Sequence, residues 1–169
     1  MDCIEPFVLI EGHRKYEGGI MSRHLLLCLV VTMVGCSGTR SSQIGMAGDS
    51  FAACPDSPNC VSSQSTDPRH AIAPLRYEGS AKKAWERLVK VISGMKRARI
   101  VTAEERYLHA EYTSAFLRFV DDVEFLSDDE MKTIHVRSAS RIGYSDFGVN
   151  RRRVEEIRSR FDALKKERT

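Results

Sequence analysis

The chain has 169 residues, of which 42% are hydrophobic and 29% charged, and its formal net charge at pH 7 is +3. This length favours a single domain, and the apolar share is enough for a hydrophobic core, so global disorder is not expected. The mild charge gives no indication of a nucleic-acid partner. No apolar run reaches the roughly 18 residues of an ordinary transmembrane helix.

A leader typical of bacterial lipoproteins begins at Met21. A short basic segment, residues 21–24, precedes an apolar stretch over residues 25–34 that ends at Gly35-Cys36. A run of this length is typical of a secretory signal rather than of a membrane span, although a plain signal peptide or a buried segment is the alternative. The sequence Met33-Val-Gly-Cys36 resembles a lipobox, with Met33 where Leu is usual. The resemblance implies cleavage before Cys36 and lipidation of its sulfur and its new N-terminus.

The leader divides the chain into four parts. Residues 1–20 carry four acidic side chains where a basic flank is expected, so we interpret them as a misassigned extension before the true start. We predict a signal peptide over 21–35, a tether over 36–53 because small and polar residues dominate it, and one globular domain over 54–169. Ser37 follows Cys36 where an Asp would indicate retention at an inner membrane. We therefore expect a protein of the bacterial cell envelope that faces the periplasm, at the outer rather than the inner membrane.

Two cysteines remain in the predicted mature domain once the leader is removed and Cys36 is lipidated. Cys54 and Cys60 form an even pair in an oxidising compartment, separated by a turn-forming Pro-Asp-Ser-Pro-Asn segment. The pair favours a disulfide. No metal site is expected, because neither a CxxC partner nor a nearby histidine pair accompanies the two thiols.

The periodicity of the domain indicates two helices and about four strands. A helix is predicted from the N-cap Ser80 to Met95, and a second over 151–166 with Asn150 as its N-cap. Strands are predicted over 99–103, 107–113, 116–126 and 132–140. Short turns between the strands favour an antiparallel sheet covered on one face by the two helices, which is an α+β fold. In the third strand the alternate positions Leu117, Phe119, Val123 and Phe125 are apolar and are predicted to face the core. Asp121 shares this face and is expected opposite Val136 or Ser138.

Three segments of the domain resemble one known family. They are CPDSPNCVSSQ at 54–64, FVDDVEF at 119–125 and RSASRIGYSDFGVNR at 137–151. In this order they resemble the bacterial and plastid-type family named for the domain of unknown function fourteen ninety-nine, over about residues 53–166. The resemblance implies no established activity, so the expected function depends on the residues themselves.

Basic residues surround the glycine-containing loop that precedes the last helix. Arg137, Arg141 and Arg151 carry guanidinium groups that suit carboxylates or phosphates. We predict that they form a binding site for an anion, with Asp121 and Asp146 beside them. The alternative is that the arginines pair with the fold's own aspartates.

These features predict an envelope protein that contacts the membrane through its lipid. We expect it to be a binding or structural module for an anionic envelope component or partner. No nucleotide-binding or metal-hydrolase motif is present in the sequence, so no cofactor is expected.

A hydrolase that acts on an envelope component is the alternative function. The sequence contains no G-x-S-x-G elbow, and the catalytic residues of such an enzyme are unknown. His109 and His135 are predicted to lie on solvated strand faces. A base next to a nucleophile would support the hydrolase, and the candidates are His70 with Ser62, Ser63 or Ser138.

Overall fold

The computed structural model describes residues 44–166 of the chain. The predicted N-terminal extension, the signal peptide and the lipidation site at Cys36 lie outside this range. Within the described residues, no helix is long and apolar enough to cross a membrane.

The described residues form two helices and eight strands, which confirms the predicted α+β class. In chain order these elements are β1 (Met46–Ala47), β2 (Ser50–Phe51), β3 (Cys60–Ser62), β4 (Leu75–Arg76), α1 (Ala81–Ser93), β5 (Ala98–Ala103), β6 (Tyr107–Thr113), β7 (Val120–Asp128), β8 (Thr133–Ser140) and α2 (Val149–Lys166).

The main sheet has six strands rather than the predicted four. Its order is β3-β8-β7-β6-β5, and β4 pairs with β8 along the same edge as β3. Strands β5 to β8 form the predicted antiparallel meander. The two further strands, β3 and β4, have only three and two residues, too few for an alternating pattern to be recognised in the sequence.

Helix α1 begins where the sequence predicts. The side chain of Ser80 is the N-cap and accepts a hydrogen bond from the backbone N–H of Lys83 at 3.5 Å. The helix ends at Ser93, two residues before the predicted end at Met95. The apolar face of α1 packs on the sheet through its buried residues, Ala84, Leu88, Val91 and Ile92.

Helix α2 covers the rest of the same sheet face. Its side chains Val154, Ile157 and Phe161 are fully buried and join those of α1 and the inner face of β6, β7 and β8 in one core. The members of both buried apolar clusters, and the side chains packed against them, lie between Phe51 and Leu164. The domain therefore buries a core of its own, and we expect it to fold without the residues that precede it.

Part of the segment predicted as tether packs on the domain. Strands β1 and β2 form a short antiparallel hairpin. Phe51 at its end is buried against Tyr107 and Leu126, on the sheet face opposite the helices. The domain thus begins earlier than residue 54.

The predicted disulfide is confirmed. Cys54 and Cys60 are bonded, with 5.6 Å between their Cα atoms. The bridge closes the Pro-Asp-Ser-Pro-Asn turn and ties the segment after β2 to the start of β3.

Strand β7 begins at Val120, four residues later than predicted. The preceding segment is a closed loop, because the N–H of Ser114 donates to the carbonyl of Phe119 at 2.8 Å and the N–H of Phe119 donates to Oγ of Ser114 at 2.8 Å. Leu117 and Phe119, predicted to face the core, are therefore exposed. From Val120 onward the predicted alternation holds, and Val123 and Phe125 are fully buried.

Candidate functional site

An ionic network is buried on the sheet face that points away from the helices. Glu124 is fully buried; its Oε2 accepts a hydrogen bond from Nη1 of Arg137 at 2.9 Å. Its Oε1 accepts hydrogen bonds from the hydroxyl of Tyr107 and the N–H of Gly45, both at 2.8 Å. Burial and the adjacent carboxylate raise the pKa of Tyr107 well above its usual range, so this hydroxyl stays protonated and donates. Arg137, predicted to bind a ligand, thus neutralises an internal carboxylate.

The same network continues across β6 and β8. Asp122 lies 2.7 Å from Nε2 of His109 and accepts hydrogen bonds from Nε and Nη2 of Arg141 at 2.8 and 2.7 Å. Glu111 accepts hydrogen bonds from Arg141 at 2.6 Å and Arg99 at 2.5 Å. Burial alone would raise the pKa of both carboxyls, but the hydrogen bonds from their cationic partners outweigh it and hold each pKa below its usual value. His109 is buried, so its predicted solvated position is wrong.

Asp121 lies at the other face of the sheet, beside α2. It pairs with Ser140 across β7 and β8, not with Val136 or Ser138 as predicted. Its Oδ2 accepts a hydrogen bond from Nη2 of Arg153 at 2.5 Å. Its polar position on an apolar face is therefore compensated by Arg153 at the start of α2.

Asn150 links three parts of the fold and is not the N-cap of α2, which begins one residue earlier. Its buried amide donates to the carbonyl of Asn59 at 3.0 Å and to Oγ of Ser140 at 2.9 Å. Its Oδ1 accepts hydrogen bonds from the hydroxyl of Ser138 at 2.6 Å and from Arg153 at 2.7 Å. These bonds fix the start of α2 to the sheet and to the segment before β3.

The last two predicted site residues stabilise the start of α2. Asp146 accepts hydrogen bonds from the N–H groups of Gly148 at 2.8 Å and Asn150 at 2.7 Å. Arg151 donates to the carbonyls of Ala71 at 2.8 Å and Arg69 at 3.2 Å. All five residues predicted to bind an anion thus make hydrogen bonds inside the domain, which favours the alternative of internal pairing.

The histidine and serine candidates for hydrolysis also make structural contacts. His70 is buried, and its Nδ1 lies 2.9 Å from the carbonyl oxygen of Cys60. Ser63 lies 3.2 Å from Nδ1 of His135, a pair that the sequence did not indicate. However, Ser63 exchanges two hydrogen bonds with the backbone of Val136, at 2.8 Å through its N–H and 2.9 Å through its Oγ. The hydroxyl of Ser63 therefore replaces a backbone carbonyl and extends the β3–β8 ladder.

A groove with a cavity volume of about 730 Å³ opens between α2, the end of α1 and the end of β6. We call it the basic groove, because five basic and two acidic side chains line it, a formal net charge of +3. Arg153 and Arg160 are paired, with Asp121 and Glu156 respectively. The other cationic side chains are exposed and form no ion pair among residues 44–166; they are Lys96, Arg97 and Arg152.

Two loops beside the basic groove expose large apolar side chains. The β6–β7 loop, residues 114–119, and the β8–α2 loop, residues 141–148, share the same end of the sheet, and the N–H of Arg141 donates to the carbonyl of Val120 at 3.3 Å. Phe116 is 95% exposed and Phe147 is 86% exposed. The sequence analysis missed these residues for two reasons. It assigned Phe116 to a strand, and in the second loop it considered only the flanking arginines.

The fold and these surfaces define a small α+β domain with a disulfide-closed turn, a buried ionic network and one end that is both basic and apolar. The model of the family described as protein of unknown function (DUF1499) matches residues 50–161. The chain belongs to this family, as the three sequence motifs indicate. Comparisons with curated proteins and with solved structures gave no match.

Proposed function

We propose that this protein is a lipid-anchored module of the bacterial envelope that binds a phosphate-bearing envelope component in the basic groove. The observation that carries the proposal is a set of three cations at the groove that have no ion-pair partner among residues 44–166, Lys96, Arg97 and Arg152. Arg152 also donates a hydrogen bond to the carbonyl of Phe147 at 2.8 Å. The proposal retains the anionic ligand predicted from the sequence but assigns it to different residues, because Arg137 and Arg141 are committed to buried carboxylates.

The charge of the groove favours an external phosphate ligand, because the carboxylates of the groove itself cannot neutralise it. Its two carboxylates already have arginine partners, so its remaining positive charge has no internal counterpart among the described residues. An arginine fork and a lysine ammonium bind phosphate oxygens through charge-assisted hydrogen bonds. Lipid headgroups and free phosphate share this chemistry.

The lipobox resemblance supports an anchored location. Cys36 precedes the first described residue, Ile44, by eight positions, a span of at most about 28 Å when the chain is fully extended. A lipid on Cys36 would therefore keep the domain next to a membrane surface. With Ser37 in the position that follows, we propose the periplasmic face of the outer membrane.

The test is the melting temperature of residues 37–169 with increasing inorganic phosphate at constant ionic strength. Wild type is expected to show a concentration-dependent rise, because a ligand that binds only the folded state stabilises it. The Lys96→Gln, Arg97→Gln double variant should lose the rise. A double variant of the exposed Lys82 and Lys83 to Gln removes the same charge outside the groove and should keep it. Equal responses of the two variants would contradict the proposed site.

A further inference from the structure

We propose that the β6–β7 loop and the β8–α2 loop insert into the interfacial layer of an anionic phospholipid bilayer. The inference rests on the proposed function, because it names an anionic bilayer as the surface whose headgroup phosphates bind in the basic groove. It adds an orientation: the end of the domain that bears both loops faces the lipid.

The first argument is the distribution of exposed apolar side chains. Nine large hydrophobic side chains of the described residues are exposed, and seven belong to these two loops or to the first residue of α2. Scattered exposed hydrophobic residues are normal in soluble proteins, but such a concentration marks an interaction surface. The seven are Phe116, Leu117, Phe119, Ile142, Tyr144, Phe147 and Val149.

The second argument is the shape of this surface. Phe116 and Phe147 are almost fully exposed, so their rings project from the loops rather than line a depression. A protein partner would need pockets that match each projecting ring. A fluid lipid layer accepts them without such a match, and aromatic rings are favoured at the membrane–water interface.

The third argument is charge. Arg118 lies between the apolar residues of the β6–β7 loop, and Lys96, Arg97 and Arg152 line the adjoining basic groove. Basic side chains next to an apolar surface favour a membrane with negatively charged headgroups. The occupant is therefore an anionic bilayer rather than a neutral one.

The start of the described chain is compatible with this orientation. The N–H of Gly45 is bonded to Glu124 on β7, three residues from Asp121 at the end that carries both loops. The short link to Cys36 can therefore reach a bilayer in contact with that end.

The experiment is co-sedimentation of residues 37–169, which lack the lipidation site, with vesicles. Vesicles of phosphatidylcholine alone are compared with vesicles that also contain phosphatidylglycerol. We expect wild type to bind the anionic vesicles, and the Phe116→Ser, Phe147→Ser double variant to bind about tenfold more weakly. Met131→Ser is the control, since Met131 is 68% exposed in the β7–β8 turn at the opposite end, and it should bind like wild type. Both phenylalanines lie outside the core, so an unchanged melting temperature is expected.

Two outcomes would overturn the inference. One is equal binding of the double variant and wild type. The other is no binding of wild type to anionic vesicles, which would leave a protein as the partner of the loops. Failure of the proposed function is distinct, because it appears as the absence of stabilisation by inorganic phosphate, whatever the vesicles show.

Discussion

Single residues determine the stability of the sheet face that carries the ionic network. Glu124 and Arg137 pair directly across β7 and β8, and both are almost completely buried. Taking two charges out of water is costly, and their attraction only offsets that cost while both are present. Removing one partner leaves an uncompensated charge inside the protein.

We therefore expect Arg137→Met to lower the free energy of unfolding by about 3–5 kcal/mol. The matched control is Arg99→Met, because the Arg99 side chain is 65% exposed although it also pairs with a strand carboxylate, Glu111. An exposed pair contributes about 1 kcal/mol or less. Urea denaturation measures the loss in the free energy of unfolding of each variant. Similar losses would show that burial of the Glu124–Arg137 pair does not determine the cost of removing Arg137.

The carboxylates of the network also predict acid sensitivity. Folding lowers the pKa of Asp122 and Glu111 through their arginine partners, from ordinary values of 3.8 and 4.5. A carboxyl whose pKa is lower in the folded state contributes stability above its unfolded pKa and loses it as the pH falls. The free energy of unfolding should therefore decrease below about pH 4.5.

The Asp122→Asn variant should show a shallower decrease, because it has one fewer carboxyl to protonate on unfolding. Urea denaturation in steps between about pH 3 and pH 7 measures both slopes. Identical slopes for the variant and wild type would mean that Asp122 has the same pKa folded and unfolded.

At the scale of elements, the start of α2 depends on two residues with different roles, although the sequence predicts only Asn150 there, as the N-cap. Asp146 accepts the first backbone N–H groups, while Asn150 fills a buried position between the helix, β8 and the segment before β3. A lost cap costs about 1 kcal/mol, whereas removal of a buried polar partner leaves several groups unsatisfied. The two residues should therefore respond differently to substitution.

Asp146→Ala is expected to destabilise the domain by about 1 kcal/mol and Asn150→Ala by about 2–3 kcal/mol. Thermal unfolding of both variants tests this order. If Asn150→Ala were the milder change, Asn150 would act as the simple cap that its sequence position indicated.

The disulfide-closed turn is the second element with a measurable contribution. Cys54 and Cys60 are six positions apart, and a closed loop of this size contributes about 2 kcal/mol by restricting the unfolded chain. The Cys54→Ser, Cys60→Ser double variant should lose this amount and should no longer respond to a reductant. In residues 37–169, which contain no other cysteine, the denatured and unreduced wild type should not react with maleimide. Reaction of both thiols would show that the bridge does not form.

The elements with regular side-chain patterns were predictable from the sequence, and the site was not. The alternation of β6 and β8, the amphipathic face of α1 and the Cys54–Cys60 pair all follow from local spacing. The late start of β7 within the predicted 116–126 strand does not, because only the hydrogen bonds of Ser114 and the left-handed backbone of Arg118, with a φ angle of 52°, show that a loop replaces its first residues. The basic groove combines Lys96 and Arg97 with Arg152, more than fifty positions away, so no local motif could reveal it.

At the scale of the whole molecule, the two ends of the sheet differ in character. One end carries the exposed apolar loops and the basic groove. The opposite end carries the β5–β6 and β7–β8 turns, where Trp85 donates a hydrogen bond from Nε1 to the carbonyl of Glu104 at 3.0 Å. Only the first end has the composition of a membrane-binding surface.

This polarity can be measured directly, because Trp85 is the single tryptophan of the chain. Residues 37–169 with native Trp85 are compared with a variant that combines Trp85→Phe with Phe116→Trp, on phosphatidylglycerol vesicles whose acyl chains are brominated. We expect the fluorescence of the variant to shift to shorter wavelength and to be quenched by the bromines, while native Trp85 remains unquenched. Quenching of Trp85 with no quenching of the variant would place the opposite end on the membrane and contradict the proposed orientation.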